Sequence, residues 1–135
     1  LYVALYFLPG FLFASSFLAA IGAACNELKE AQSMAFPLSL FNLIPMIFWY
    51  YITENPQSAL SIAISFIPPI TPLVMILRIC ADPQMPLWQI VATQIVLWIG
   101  VGFMIWAAGK VFRVGVLMYG KPPSLRELAR WVRYA

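Results

Sequence analysis

The sequence predicts an all-α fold, a polytopic helical membrane protein. It should have three spanning helices, a Pro-broken re-entrant helix pair and a C-terminal amphipathic helix. Three observations carry this. Hydrophobic residues make up 63% of the 135 and charged residues only 10%, against about 45–50% and about 25% in soluble domains. Such a chain has too few polar groups to cover a soluble surface. Its charges bound four uncharged runs, 1–26, 31–53, 55–77 and 83–109, and a bilayer-spanning helix needs about 20 apolar residues. Within the third run Pro68, Pro69 and Pro72 fall inside five residues. They remove backbone donors and block a continuous helix.

Residues 1–25 and 34–53 read as ordinary spans. Pro9, Pro37 and Pro45 lie inside them, and membrane helices tolerate proline as a kink. Between the two spans Glu27, Lys29, Glu30 and Gln32 form a short polar loop. It reads as a solvated turn, or as a contact to a cytoplasmic partner or a gate element. Broken backbone at membrane depth is tolerated only where protein or a water-filled cavity shields it. Residues 57–79 are therefore expected to form two short helices dipping in from one side and meeting at Pro68-Pro69, with a kinked fourth span as the alternative. Residues 87–109 make the cleanest span, with Trp88 at one end and Lys110 and Arg113 at the other.

The tail, 110–135, holds Lys110, Arg113, Lys121, Arg126, Arg130 and Arg133. The positive-inside rule makes it cytoplasmic. Pro122-Pro123 ends one element, and Ser124 with Glu127 three residues on forms a capping box for the next. That helix places Leu125, Leu128 and Val132 on one face and Arg126, Arg130 and Arg133 on the other, so it should lie along the inner membrane surface, with Trp131 and Tyr134 at the interface. In this topology Cys25 is inside and Cys80 outside. A core of about 30 Å separates those faces, and a disulfide needs Cα atoms within about 7 Å. The two cannot pair, and both read as small apolar fillers.

The chemistry available is limited. The sequence has no histidine and only two cysteines, so neither a His-based triad nor a zinc cluster is expected. No G-x-x-x-x-G-K-[ST] motif occurs, so ATP hydrolysis is not expected of this chain. None of the acids Glu27, Glu30, Glu54, Asp82 and Glu127 sits mid-span, where an ionisable group would suggest an ion relay. No catalytic residue, metal site or cofactor is assigned. A net charge of +3 supplies no broad basic surface for nucleic acid. Ser15, Ser16, Ser39, Asn42, Thr93 and Gln94 lie inside spans, and Asn42 and Gln94 should face other helices. Arg78 with Asp82 reads either as a local ion pair at the headgroups or as a substrate contact. Pro68, Pro69 and Pro72 with Arg78 are candidates for an outer gate, since broken helices line substrate paths in transporters.

Three stretches resemble one family. Lys110-Val111-Phe112-Arg113 through Tyr119-Gly120-Lys121-Pro122-Pro123-Ser124-Leu125-Arg126-Glu127-Leu128 resembles the C-terminal end of the bacterial ABC transporter type 2 permeases, the Nat-type sodium-efflux branch above all. Gly22-Ala23-Ala24, with Glu27 and Glu30-Ala31-Gln32, looks like the loop between that family's fourth and fifth helices. Asn55-Pro56 through Phe66-Ile67-Pro68-Pro69-Ile70-Thr71-Pro72 to Arg78 looks like its extracellular broken-helix region. The resemblance implies the last three of six spans. Leu1 is not an initiator Met and opens inside an apolar run, so a C-terminal fragment of a longer protein is expected.

It further implies a permease subunit of an ATP-driven exporter in the cell inner membrane. Such a permease pairs with a second permease subunit, in a homo- or heterodimer, and with a cytoplasmic ABC ATPase subunit that hydrolyses ATP. Glu27 to Gln32 and the tail would face the ATPase, and the Pro68-Pro69 region would help form the outer gate. The competing reading is a membrane anchor or scaffold whose basic tail binds lipid or a partner.

Overall fold

The computed structural model describes residues 1–117 and 125–134, with the side chains at 116, 117, 125, 128, 131 and 134 left outside the description. Six helices follow in order: α1 Tyr2–Ala24, α2 Leu28–Glu54, α3 Ala59–Ser65, α4 Thr71–Ala81, α5 Leu87–Leu117 and α6 Leu125–Tyr134. No strand occurs among the described residues. Helices α1, α2 and the 87–115 part of α5 are long and apolar enough to cross a membrane. The expected architecture therefore stands, with two boundary corrections. Helix α2 begins six residues before the expected 34, and α5 runs eight residues past 109. Leu28 to Met34 contains helix formers and no Gly or Pro, so the helical hydrogen bonds continue out of the apolar zone. Hydropathy marks where the bilayer ends, not where the helix does.

Helices α1 and α5 form the central pair and run parallel. At one end the Tyr6 hydroxyl lies 2.7 Å from Thr93 Oγ1. Midway, Phe13 lies beside Gly100. At the other end Gly115 meets the Ala23 carbonyl so closely that a Cβ there would stand 2.6 Å from it. The proline hairpin α3–α4 packs between α1 and α2, and α6 packs on α5.

Two apolar clusters hold these contacts. One joins Tyr6 of α1, Met75 of α4, Met85, and Ile90 and Leu97 of α5. The other joins Ile52 of α2, Ile64 of α3, Ile70, and Val74 of α4. Large side chains such as Phe7, Phe11, Ile99 and Phe103 stay exposed, as lipid-facing surfaces of spans do. Three of the six polar in-span residues, Ser16, Thr93 and Gln94, bond as expected. Gln94 Nε2 donates to the Leu5 carbonyl at 3.0 Å, and Ser16 donates back to Leu12 of its own helix. Asn42 does not: it is exposed on α2, because the described helices pack against other faces of that helix.

Candidate functional site

The site grows from the proline break. Pro68 and Pro69 carry no N–H, so the helix of Ala59–Ser65 must stop and its last carbonyls need new donors. Thr71 supplies one: its hydroxyl hydrogen lies within reach of the Ser65 carbonyl at 2.7 Å and the Ile67 carbonyl at 2.8 Å. The Ile70 and Thr71 amides also donate to Ile67. Ser58 caps the start of α3 by accepting from the Ser61 amide at 3.2 Å. Pro72 sits in the first turn of α4, where its missing donor costs nothing. The Ser65 and Ile67 carbonyls and the Ile70 and Thr71 amides are thus satisfied within the hairpin, as broken backbone among spans requires.

The tip of the hairpin sits midway along the long helices. A Cβ built on Gly100 would stand 2.9 Å from Pro68 Cβ, and one on Gly10 would stand 2.6 Å from Pro72 Cγ. Glycine at both positions makes room for rigid rings. Gly100 lies thirteen residues into α5, about 20 Å along its axis. Pro69 lines a cavity of about 230 Å³ together with Phe13, Phe17, Pro37, Phe41 and Met104. The sequence placed the two short helices and their meeting point correctly.

Arg78 fastens the hairpin. Its side chain is fully buried. Nε donates to the Pro56 carbonyl at 2.7 Å, one terminal nitrogen to Ser65 Oγ at 2.9 Å, and the other to Gln89 Oε1 at 2.6 Å. One guanidinium therefore ties the turn before α3, the end of α3 and the first turns of α5 to α4. The direct ion pair with Asp82 is not formed. A relay replaces it: Gln89 Nε2 donates to Gln57 Oε1 at 3.1 Å, and Gln57 Nε2 donates to Asp82 Oδ2 at 2.8 Å. The carboxylate stays near the surface and the guanidinium stays dry, joined by two amides. Each of its three nitrogens meets a protein acceptor, so in this arrangement Arg78 clasps the hairpin.

The other sequence-marked residues lie at the opposite end. Glu27 is the N-cap of α2, while Lys29, Glu30 and Gln32 lie in its first turns. This corrects the loop reading: the loop shrinks to Cys25–Glu27. One Glu30 carboxylate oxygen is buried and has no hydrogen-bond partner among the described residues. Arg113 is exposed on α5, and Arg126, Arg130 and Arg133 are exposed on α6. Lys121, Pro122-Pro123 and the capping residue Ser124 lie outside the described residues. Both cysteines are free. No group of three His, Cys, Asp or Glu side chains able to hold a metal occurs among the described residues.

Sequence reasoning missed Gln57 and Gln89, the two amides of the relay. A signal was there. Gln89, Thr93 and Gly100 recur on one face of α5 at spacings of four and seven, matching Tyr6, Gly10 and Phe13 on α1 at four and three.

The comparisons agree with this architecture. The family model of the ABC-2 family transporter proteins matches residues 1–110. Among curated proteins, MJ1024 of Methanocaldococcus jannaschii is 26% identical over 130 residues, covering 96% of this chain and 32% of its own length. YhaP of Bacillus subtilis is 22% identical over 135 residues, covering 100% of this chain and 32% of its own. The chain thus spans about a third of the length of these relatives. No solved structure matches significantly. With its three spans and its proline hairpin, the chain belongs to the ABC-2 family of transporter proteins, as a multi-pass membrane permease segment.

Proposed function

We propose that the chain forms the C-terminal spans of the permease subunit of an ATP-driven exporter. Two permease subunits, alike or different, assemble with cytoplasmic ATP-binding subunits in the cell inner membrane. ATP binding in those partners drives the permeases between inward- and outward-facing states. Hydrolysis belongs to the partners, since this chain carries no phosphate-binding loop. The basic end is cytoplasmic, and Glu27, Lys29, Glu30 and Gln32 with the tail face the ATPase. The hairpin enters from outside and forms the outer gate, with Pro68, Pro69 and Pro72 at its tip.

One observation carries the reading. A proline hairpin wedged midway along three spans, its break bridged by its own hydrogen bonds and its base clasped to α5 by a buried arginine, moves with α5 as one body. A gate needs that property, and a passive anchor has no use for it. The deciding experiment is purification of the full-length protein from native membranes. A co-purifying subunit with a phosphate-binding loop and vanadate-sensitive ATP hydrolysis is expected. Recovery of the protein alone would overturn the exporter reading in favour of a membrane anchor.

The orientation is tested separately. An impermeant maleimide added to intact cells should label Cys80, which is exposed, and spare Cys25. The reverse pattern would invert the topology. In permeabilised cells Cys25 should still react slowly at neutral pH. Burial, with the nearby Glu30 carboxylate, pushes its thiol above the ordinary value, so less thiolate is present to attack. Its labelling rate should keep rising as pH passes the range where an ordinary thiol has already ionised.

A further inference from the structure

At the basic end, α1, α5 and α6 enclose an apolar groove of about 380 Å³. Ala20 and Ile21 of α1, Met104 and Ala107 of α5, and Ala129 and Val132 of α6 line it. We propose that this groove holds an acyl chain of an anionic phospholipid from the same leaflet, with the headgroup phosphate met by the arginines of α6. The proposal rests on the reading that this end lies at the inner membrane surface.

Depth is the first argument. Lys110 Nζ donates to the Val132 carbonyl at 3.3 Å and stands 4.2 Å over the Trp106 ring. A lysine on a helix's last carbonyls complements its dipole, so this contact pins the end of α6. A tryptophan and a lysine together also mark a membrane interface. Helix α6 is therefore held at the level where headgroups meet acyl chains, beside the end of a span and not beyond it.

Charge is the second argument. Arg126, Arg130 and Arg133 are exposed and fall within about 60° of one another around the helix axis. Ala129, on the groove wall, borders that arc. Glu127 is the acidic residue of the same helix, and α6 keeps a cationic excess. An apolar slot edged by arginines matches a lipid that carries both an acyl chain and a phosphate. A partner protein would use the arginines but has no need of a slot open to the bilayer.

The test uses the full-length permease in a mild non-ionic detergent. Retention of phosphatidylglycerol is measured by native mass spectrometry against phosphatidylcholine with the same acyl chains, and thermal stabilisation is measured with each lipid and with inorganic phosphate. Phosphatidylglycerol should be retained at least tenfold more tightly than phosphatidylcholine. The triple variant Arg126→Gln, Arg130→Gln, Arg133→Gln should lose that tenfold preference and retain the two lipids alike. Ala129→Phe fills the groove from an exposed position and should also lose retention, with every arginine in place.

Equal retention of the two lipids by the unaltered permease would overturn the proposal, as would an unaffected Ala129→Phe variant. Stabilisation by inorganic phosphate alone would reassign the arginines to free phosphate. A triple variant that keeps its lipid but loses a protein partner would make the row a protein dock. Because the titration is done in detergent, it reads lipid binding whichever way the chain crosses the membrane. Protease accessibility of the tail in sealed vesicles reads the orientation on its own.

Discussion

Replacing Arg78 by Met should lower stability by roughly 3 kcal/mol and uncouple the hairpin from α5. Methionine fills much of the same space, so the loss is mainly polar. The Pro56 carbonyl lies in a turn and can find water. Ser65 Oγ keeps its own bond to the Ser61 carbonyl. Gln89 cannot compensate: it is 4% exposed, and its Oε1 would be stranded among apolar groups. Orphaning such a group costs about 1–3 kcal/mol.

The opposing effect is that a buried charge is no longer kept dry. Replacing both members of a buried polar set by apolar groups is often neutral. The double variant Arg78→Met, Gln89→Leu should therefore recover most of the stability. It should not recover function, because the tie between hairpin and span is gone. Thermal unfolding in detergent and ATP turnover of the assembled complex separate the two. Full recovery of both by the double variant would reduce the arginine to a space filler. Arg78→Lys should fall between, since one ammonium replaces a planar fork that reaches three segments.

The fold was largely legible because membrane helices announce themselves by missing charge. The gaps around Glu27 to Glu30, Glu54, Arg78 to Asp82 and Lys110 place each span, and Pro68-Pro69 places the break. Boundaries were less legible, since Lys29, Glu30 and Lys110 are good helix formers that carry α2 and α5 out of the apolar zone.

The candidate site was half legible. Arg78 drew notice as a lone charge near an apolar run, and Asp82 was its natural partner. That Gln89 and Gln57 stand between them depends on how α4 and α5 meet, and hydropathy carries no information about that. Asn42 shows the same limit. A mid-span amide asks for a neighbour, but the residue cannot say which helix provides it, and on the described helices none does.

The second large effect is expected at the hairpin seat. Gly100→Leu and Gly10→Leu should each drive the tip out from between the spans, at a cost of about 3 kcal/mol. The steric facts are unequal along the same helices. A Cβ at Gly100 meets Pro68 at 2.9 Å, and one at Gly10 meets Pro72 at 2.6 Å, while Gly102 and Gly109 have nothing within 4 Å. Alanine in place of glycine favours a helix interior by about 1 kcal/mol. Gly102→Ala and Gly109→Ala should therefore be neutral or stabilising. Gly10→Ala and Gly100→Ala should be destabilising, because a proline ring cannot rotate aside as a flexible side chain does. Rescue then identifies the contact. The closest atom at Gly10 is Pro72 Cγ, with Cβ next at 3.0 Å. Pro72→Ala removes the first and keeps the second, so it should restore part of what Gly10→Ala loses. It should do nothing for Gly100→Ala, whose clash is with Pro68. Equal thermal midpoints for all four alanine variants would mean that the hairpin tip is not seated against these glycines, and the gate would lose its structural basis.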